Sequence, residues 1–475
     1  MGTMELTPAE CTADSCGNAE SEADYMDQIA KKALPSNYNF EIAKSVAKVR
    51  QLNAKRVALQ MPEGLLAWGC EIADILKFFC ESLEEVVIMA DVTYGACCID
   101  DVTAQAIGCD LVIHYGHSCL VPVTDVVVQC LYVFVEISFS ASYLAKVITQ
   151  VLDPNDRLFL MGTIQYSNVL REAAAIIDES GHFRCKVVVP QVSPLLPGEV
   201  LGCTSPVLHN RKFEPNEKAG RNGMACCSSA ASGGEDGSCC QTPQRVESEG
   251  HSSATVGEGR TGEEAGESEV GGKGERKIVF VADGRFHLES ALIQNPGIQA
   301  FRFDPFNKTI SEESYDIATL HAVRGNAIQM AKRAKSVCLV LSMLGRQGNM
   351  NILKSLVQVL EASGIVHHVR LLSEITMDKL AALDVDAYIQ VGCPRLSIDW
   401  GAGFGKPILN PYEAFVAFKQ EEYKSVYPMD YYSNAGGEWS NYTANRLVAP
   451  AVDPKEAIRR RLQQRARATQ LTYST

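Results

Sequence analysis

No stretch of the chain is long and apolar enough to span a bilayer. The longest candidate, "DVVVQCLYVFVEISF", is broken by charge and reads as a buried strand. A basic surplus is also missing. Formal net charge is −13 over 475 residues, which disfavours nucleic acid as a partner, because its binders concentrate basic side chains on one face. The one basic cluster, "RRRLQQRARA" near the C-terminus, reads as the end of a final helix. No apolar N-terminal run follows a basic region, and "MGTMEL" lacks the Ser or Thr that a myristoylation site wants at its sixth position. The cytoplasm is therefore the expected compartment. G-x-G-x-x-G and Walker loops are absent, which removes the generic nucleotide-binding classes. So is any C-x3-C-x2-C run.

Cysteine, by contrast, is plentiful, at 17 residues. In a reducing compartment these are free thiols or metal ligands, not disulfides. Cys70, Cys80, Cys109, Cys130, Cys185 and Cys338 lie in or beside apolar periodic runs, where cysteine acts as a small hydrophobe.

Alternation of short apolar strands with amphipathic helices runs through the chain. "RVALQMPEG", "EVVIMAD" and "DLVIHYG" are strands divided by helical spacing, and the pattern restarts at "RLFLMGTIQYS" and at "SVCLVLSMLGRQG". "CKVVVPQ" is a further expected strand. Residues 207–275 are rich in Gly, Ser and Glu with few large apolar residues, the signature of a disordered insertion; its pairs Cys226–Cys227 and Cys239–Cys240 read as incidental. The expected fold is α/β, with three similar domains, each a small, mostly parallel sheet flanked by helices. Boundaries are read as a loosely packed tail at 1–37, domains at 38–145, 146–310 and 311–440, and a partly helical extension at 441–475.

Each domain offers one cysteine in a strand-end turn beside small residues: Cys97 in "YGACC", Cys203 in "PGEVLGCTSP" and Cys393 in "IQVGCPRLSID". Open α/β sheets build their sites in such loops. Spacing alone favours buried structural cysteines. Three thiolates meeting from three domains would instead hold a 4Fe-4S cluster with one iron open to substrate.

"LQMPEGL", "DVTYGACCIDD", "HYGHSCLVP", "PLLPGEVLGCTSP", "VADGRFHLE", "LGRQGN" and "CPRLSIDWG" together closely resemble the diphthamide synthesis family over roughly residues 38–206 and 277–440. The resemblance implies three α/β domains around a central 4Fe-4S cluster, with Cys97, Cys203 and Cys393 as its ligands and Cys98 as a packing residue. It implies that S-adenosylmethionine, bound at the open iron, yields a 3-amino-3-carboxypropyl radical that adds to one histidine of elongation factor 2. The implied partners are a paralogous subunit as heterodimer, a small metal-binding electron carrier and elongation factor 2, with neither nucleic acid nor membrane. A non-catalytic paralogue of the same fold is the alternative; "VTYGACC" and "LGRQGN" are of the catalytic type.

Within that reading, the turn Gly345, Arg346, Gln347 and Gly348 is a candidate cradle for S-adenosylmethionine, its amides and guanidinium suited to a carboxylate. The bland alternative is a simple turn with a surface arginine. Asp399 is a further candidate contact to S-adenosylmethionine, and Asp283, Arg285 and Glu63 are candidate polar contacts; the bland alternative for all four is a plain cap. His114 and His117 read as hydrogen-bonded structural residues, and Cys119 has no assigned part. No catalytic residue beyond the cluster ligands is expected.

Overall fold

The computed structural model describes residues 21–90, 95–121, 125–219 and 274–442. Three four-stranded sheets follow one another along the chain. The first part contains β1 (Tyr38–Asn39), β2 (Arg56–Gln60), β3 (Glu85–Met89), β4 (Leu111–Tyr115), β5 (Gln129–Val133) and β6 (Glu136–Ile137). Strands β2 to β5 form an all-parallel sheet in the order β3-β2-β4-β5, while β1 and β6 make a separate antiparallel pair. The second sheet holds β7 (Arg157–Gly162), β8 (Arg276–Val281), β9 (Gln299–Asp304) and β10 (Thr309–Glu313), with only β10 antiparallel. The third holds β11 (Ser336–Ser342), β12 (Val366–Leu372), β13 (Ala387–Val391) and β14 (Ile408–Leu409), all parallel, in the order β12-β11-β13-β14.

The first and third sheets therefore share one strand order. The second keeps it in reduced form. The expected strand at "CKVVVPQ" runs parallel beside β7 but makes only isolated bridges, Phe159 with Val188 and, further on, Gly162 with Glu199. Pro190 has no N–H to continue the ladder. Central strands are buried along nearly their whole length, as Val57–Gln60, Leu111–Tyr115 and Ala387–Val391 show; this is why they read as continuous apolar runs.

Packing redraws the expected boundaries. Residues 21–37 are not a loose tail: the helix Glu22–Ala33 begins with a capping box at Ser21 and buries Met26. The helix Ala141–Val151 crosses the expected boundary at 145, yet its Ala141, Leu144 and Ile148 belong to the second core. The boundary at 310 would cut β10, which pairs with β9. The expected insertion starts too early, because Leu208 is buried, Phe213 packs on the second core and Pro215 bridges to Cys185. Expectations for 1–20, 220–273 and 443–475 fall outside the described residues, as do the Cys-Cys pairs within them. Cys80, Cys109, Cys130 and Cys338 are buried as expected, Cys185 is half-buried, and Cys70 is exposed on the outer side of its helix.

Candidate functional site

The core of the third unit does not stop at that unit. It takes in Ala96, Leu120 and Leu195, and Cys97 and Cys203 pack against it. The loops after the parallel strands of all three units meet there, and each of the three expected cysteines sits in one of them.

Cys97 lies in the short turn Ala96–Cys98, closed by the Cys98 N–H donating to the Gly95 carbonyl at 2.9 Å. Two elements hold this turn. From β2, the Gln60 side chain donates to the Cys98 carbonyl at 2.9 Å and accepts from the Asp100 N–H at 3.1 Å. From the third unit comes the turn Gly345–Gly348. The Arg346 N–H donates to the Cys97 carbonyl at 2.8 Å, and Gln347 Nε2 lies 3.3 Å from Cys98 Sγ. Gly345 has φ +52°, and a Cβ there would stand 2.5 Å from the Cys98 carbonyl carbon. Only glycine combines that conformation with that approach. The Arg346 guanidinium makes a two-pronged bond to buried Asp101, at 2.8 and 2.6 Å.

Cys203 occupies a tight turn in which Leu201 and Thr204 exchange backbone hydrogen bonds at 2.9 and 3.2 Å. The segment after residue 428 braces it. The Tyr432 N–H donates to Thr204 Oγ1 at 2.9 Å, and the Ser205 N–H donates to the Met429 carbonyl at 2.9 Å. Cys393 follows β13. Its carbonyl accepts from Gln390 Nε2 at 2.9 Å, and the helix Arg395–Trp400 starts two residues later.

Arg395 ties two of these turns together. Its buried guanidinium donates to the carbonyls of Gly202 at 3.2 Å and Phe286 at 2.7 Å, and it also pairs with Glu289 and with Asp399 at 2.9 Å. It lies over the Phe286 ring, 4.3 Å from the centroid. Asp399, expected beside a substrate, is thus Arg395's partner, as Asp101 is Arg346's.

The thiols sense one another. Hydrogen bonding with Cys98, then burial, then the neighbouring sulfurs of Cys98, Cys393 and Cys203 push Cys97 far above the ordinary thiol range. Burial, aided by Cys393, pushes Cys203 up to about 12. Burial also raises Cys393. Tyr432 is raised by burial and then by Cys97, Cys203, Cys393 and Cys98 in turn. Half-buried thiols raised in this way stay protonated until a metal displaces the proton.

The donor set is soft sulfur, and none of the described cysteines is in a disulfide. Among the described residues no three metal-ligating side chains close on a single ion. Thiols that act on one another electrostatically without closing on a single ion are compatible with a cage of several irons.

The other expected residues lie around this centre. His114 is buried, its Nδ1 3.0 Å from Gln60 Oε1, and its ring is 5.3 Å from that of His117. Arg285 pairs with Glu313 at 2.9 Å, and the Asp283 carbonyl accepts from Arg302 at 3.1 Å. Glu63 begins the short helix Glu63–Leu66. Cys119 is exposed. Sequence reasoning missed Arg395, Asp101 and Tyr432. For Arg395 a signal existed: Arg and Asp four residues apart, directly after the cysteine. Tyr432, in "DYYSN", had none.

Known proteins similar to this chain point to one family. The sequence model of the diphthamide synthesis protein family matches residues 61–224 and 239–428. The chain is similar to 2-(3-amino-3-carboxypropyl)histidine synthase subunit 1 of Mus musculus, 42% identical over 436 residues, covering 90% of this chain and 84% of that one. It is 42% identical over 418 residues to the protein of the same name from Homo sapiens, covering 87% and 80%. The Dictyostelium discoideum protein is 39% identical over 416 residues, covering 87% and 75%. Among solved structures, Dph2 from Pyrococcus horikoshii superposes with a TM-score of 0.57 at 22% identity, covering 83% of this chain and 98% of that one. A second structure of it, with a 4Fe-4S cluster, gives 0.56 at 22% identity, covering 82% and 93%. At that identity the likeness is one of fold.

Proposed function

The chain belongs to the diphthamide synthesis protein family, and from that premise we propose that it is the iron-sulfur subunit of a 2-(3-amino-3-carboxypropyl)histidine synthase. It transfers the 3-amino-3-carboxypropyl group of S-adenosylmethionine to a histidine of elongation factor 2. The observation that carries this reading is that half-buried Cys97, Cys203 and Cys393, one from each unit, stand near enough for their sulfurs to act on one another. These three are the proposed ligands of a 4Fe-4S cluster. When bound, the cluster would supply one electron to the sulfonium and an iron open to the substrate.

The chain's own residues supply position and dryness. Arg395 fixes the Cys203 turn against the Cys393 turn, and the Gly345–Gly348 turn fixes Cys97. That turn and Asp399 border the proposed S-adenosylmethionine site. The apolar wall from Leu120, Leu195 and the third core keeps water from a radical intermediate. Atoms balance simply. One carbon–sulfur bond breaks, one carbon–carbon bond forms at the imidazole, and methylthioadenosine and a proton leave. The electron that starts the cycle comes from an external one-electron carrier and is returned when the imidazole adduct loses its proton.

The relatives' name, "subunit 1", supports a paralogous partner, and we place the complex in the cytoplasm. No described helix is long and apolar enough to cross a membrane. The test is anaerobic purification with the partner, followed by iron and sulfide quantification. Cys97→Ala, Cys203→Ala and Cys393→Ala each lose the cluster absorbance and the histidine modification; Cys98→Ala keeps most of both. A full cluster in the Cys393 variant overturns the ligand assignment. Loss of S-adenosylmethionine cleavage only when the partner's cysteines are changed would make this chain the supporting subunit.

A further inference from the structure

The proposed reaction needs two reactants at one point, and they arrive differently. S-adenosylmethionine is a free small molecule. The imidazole is carried on a folded protein, so it must enter through an opening at the surface, beside the thiols, wide enough for one side chain. A cavity of about 270 Å³, two of whose walls are bonded to or packed with the thiol turns, is the candidate opening. Asp125, Arg346, Gly348, Asn349, Tyr432 and Tyr442 are among its walls.

Two of these walls are shared with the thiol site. Arg346 is the residue whose N–H holds the Cys97 carbonyl. Tyr432 belongs to the same packed cluster as Cys97 and Cys203, and its backbone is pinned to Thr204, the neighbour of Cys203. The rings of Tyr432 and Tyr442 stand 6.4 Å apart at 79°, forming an aromatic corner. The Tyr442 hydroxyl donates to the Leu120 carbonyl, which fixes that ring. An aromatic corner with a carboxylate at its edge is matched to imidazole: the ring stacks, and the ring N–H has an acceptor. The larger cavity of about 1040 Å³, walled by Ser205, Lys424 and Asp430, includes none of the residues bonded to the Cys97 turn.

We propose that the cavity framed by Asp125, Tyr432 and Tyr442 is the slot that receives the imidazole of the protein substrate, an assignment that rests on the reaction proposed above. Tyr432 stacks on the ring and Asp125 accepts its N–H, which turns a ring carbon toward the thiol pocket.

The experiment uses the anaerobic, iron-loaded complex with its partner, S-adenosylmethionine, dithionite as reductant, and elongation factor 2. Two products are counted, methylthioadenosine released and aminocarboxypropyl groups attached to protein. Tyr432→Leu keeps its iron and still releases methylthioadenosine, while attachment per release falls about tenfold, the scale of one lost aromatic contact. Tyr432→Phe, which keeps the ring, restores the wild-type ratio. An unchanged ratio in Tyr432→Leu overturns the slot, and so does an equal fall of both products, which would assign the cavity to S-adenosylmethionine. Where Tyr432→Leu loses iron, Asp125→Ala, which removes the acceptor, decides: a KM for elongation factor 2 raised about tenfold supports the slot, and an unchanged KM overturns it. Failure of the underlying reaction is separable, because the wild-type complex would then release no methylthioadenosine.

Discussion

Single buried side chains carry much of the third unit's order. Arg324 and Glu413 are 1% and 0% exposed and bonded at 2.6 and 2.7 Å. Arg324 also donates to the Ile408 carbonyl at 2.7 Å, and the Tyr427 hydroxyl donates to Glu413 at 2.8 Å. Burial works against the charged guanidinium, yet Glu413 more than offsets it and holds Arg324 above its ordinary range. Removing one partner leaves the other charge stranded in an apolar core. Arg324→Ala should therefore cost about 3–5 kcal/mol, read as a fall in the urea midpoint. Lys31→Ala, breaking the exposed pair with Asp27, should cost well under about 1 kcal/mol in the same assay. The cysteines were readable at this scale because each stands in a strand-end turn among small residues. Arg324 and Glu413 were not, since their meaning depends on a contact 89 residues apart.

At the scale of elements, the turn Gly345–Gly348 is the clearest case. As a sequence it is a glycine-flanked turn between β11 and the helix Met350–Ala362, suited either to cradle a carboxylate or to serve as a simple turn. In the fold its glycine is pressed on the Cys98 backbone and its arginine is paired with Asp101. It works first as a brace between units. Gly345→Ala combines a left-handed φ with a 2.5 Å clash against backbone. It should cost about 1–3 kcal/mol, and iron content should fall with it; full iron loading at unchanged stability would show the brace to be dispensable. The segment "CKVVVPQ" teaches the opposite lesson. Its apolar pattern is that of a strand and it does lie beside β7, but Pro190 and the bend beyond it leave only bridges.

For the whole molecule, the junctions between units matter most. His117 from the first unit, whose ring neighbours that of His114, lies near His287 from the second. Burial depresses all three, His117 and His287 to about 4, and Arg395 adds its positive charge beside His287. An unfolded histidine titrates near about 6.5. Below that pH the unfolded chain binds protons that the folded chain refuses, so stability present above about pH 6.5 is lost as pH falls toward about 4. Glu199, raised by burial, acts in the opposite sense, which makes a single-site comparison necessary. His117→Gln should flatten the fall of the unfolding midpoint between those limits by about one proton's worth of slope; an unaltered slope would remove His117 from the account.

The sequence alone settled the α/β class, the three repeats and the turns that bear Cys97, Cys203 and Cys393, because hydrophobic periodicity and turn chemistry are local and act over a few residues. Only the folded chain decided where one unit's core ends and the next begins. It also decided that Arg346 and Arg395 are spent on bracing, and that a tyrosine from beyond the third sheet packs in one cluster with Cys97 and Cys203. Those are contacts between segments far apart in the chain, and no local pattern encodes which surfaces will be pressed together when three small cores bury their edges against one another.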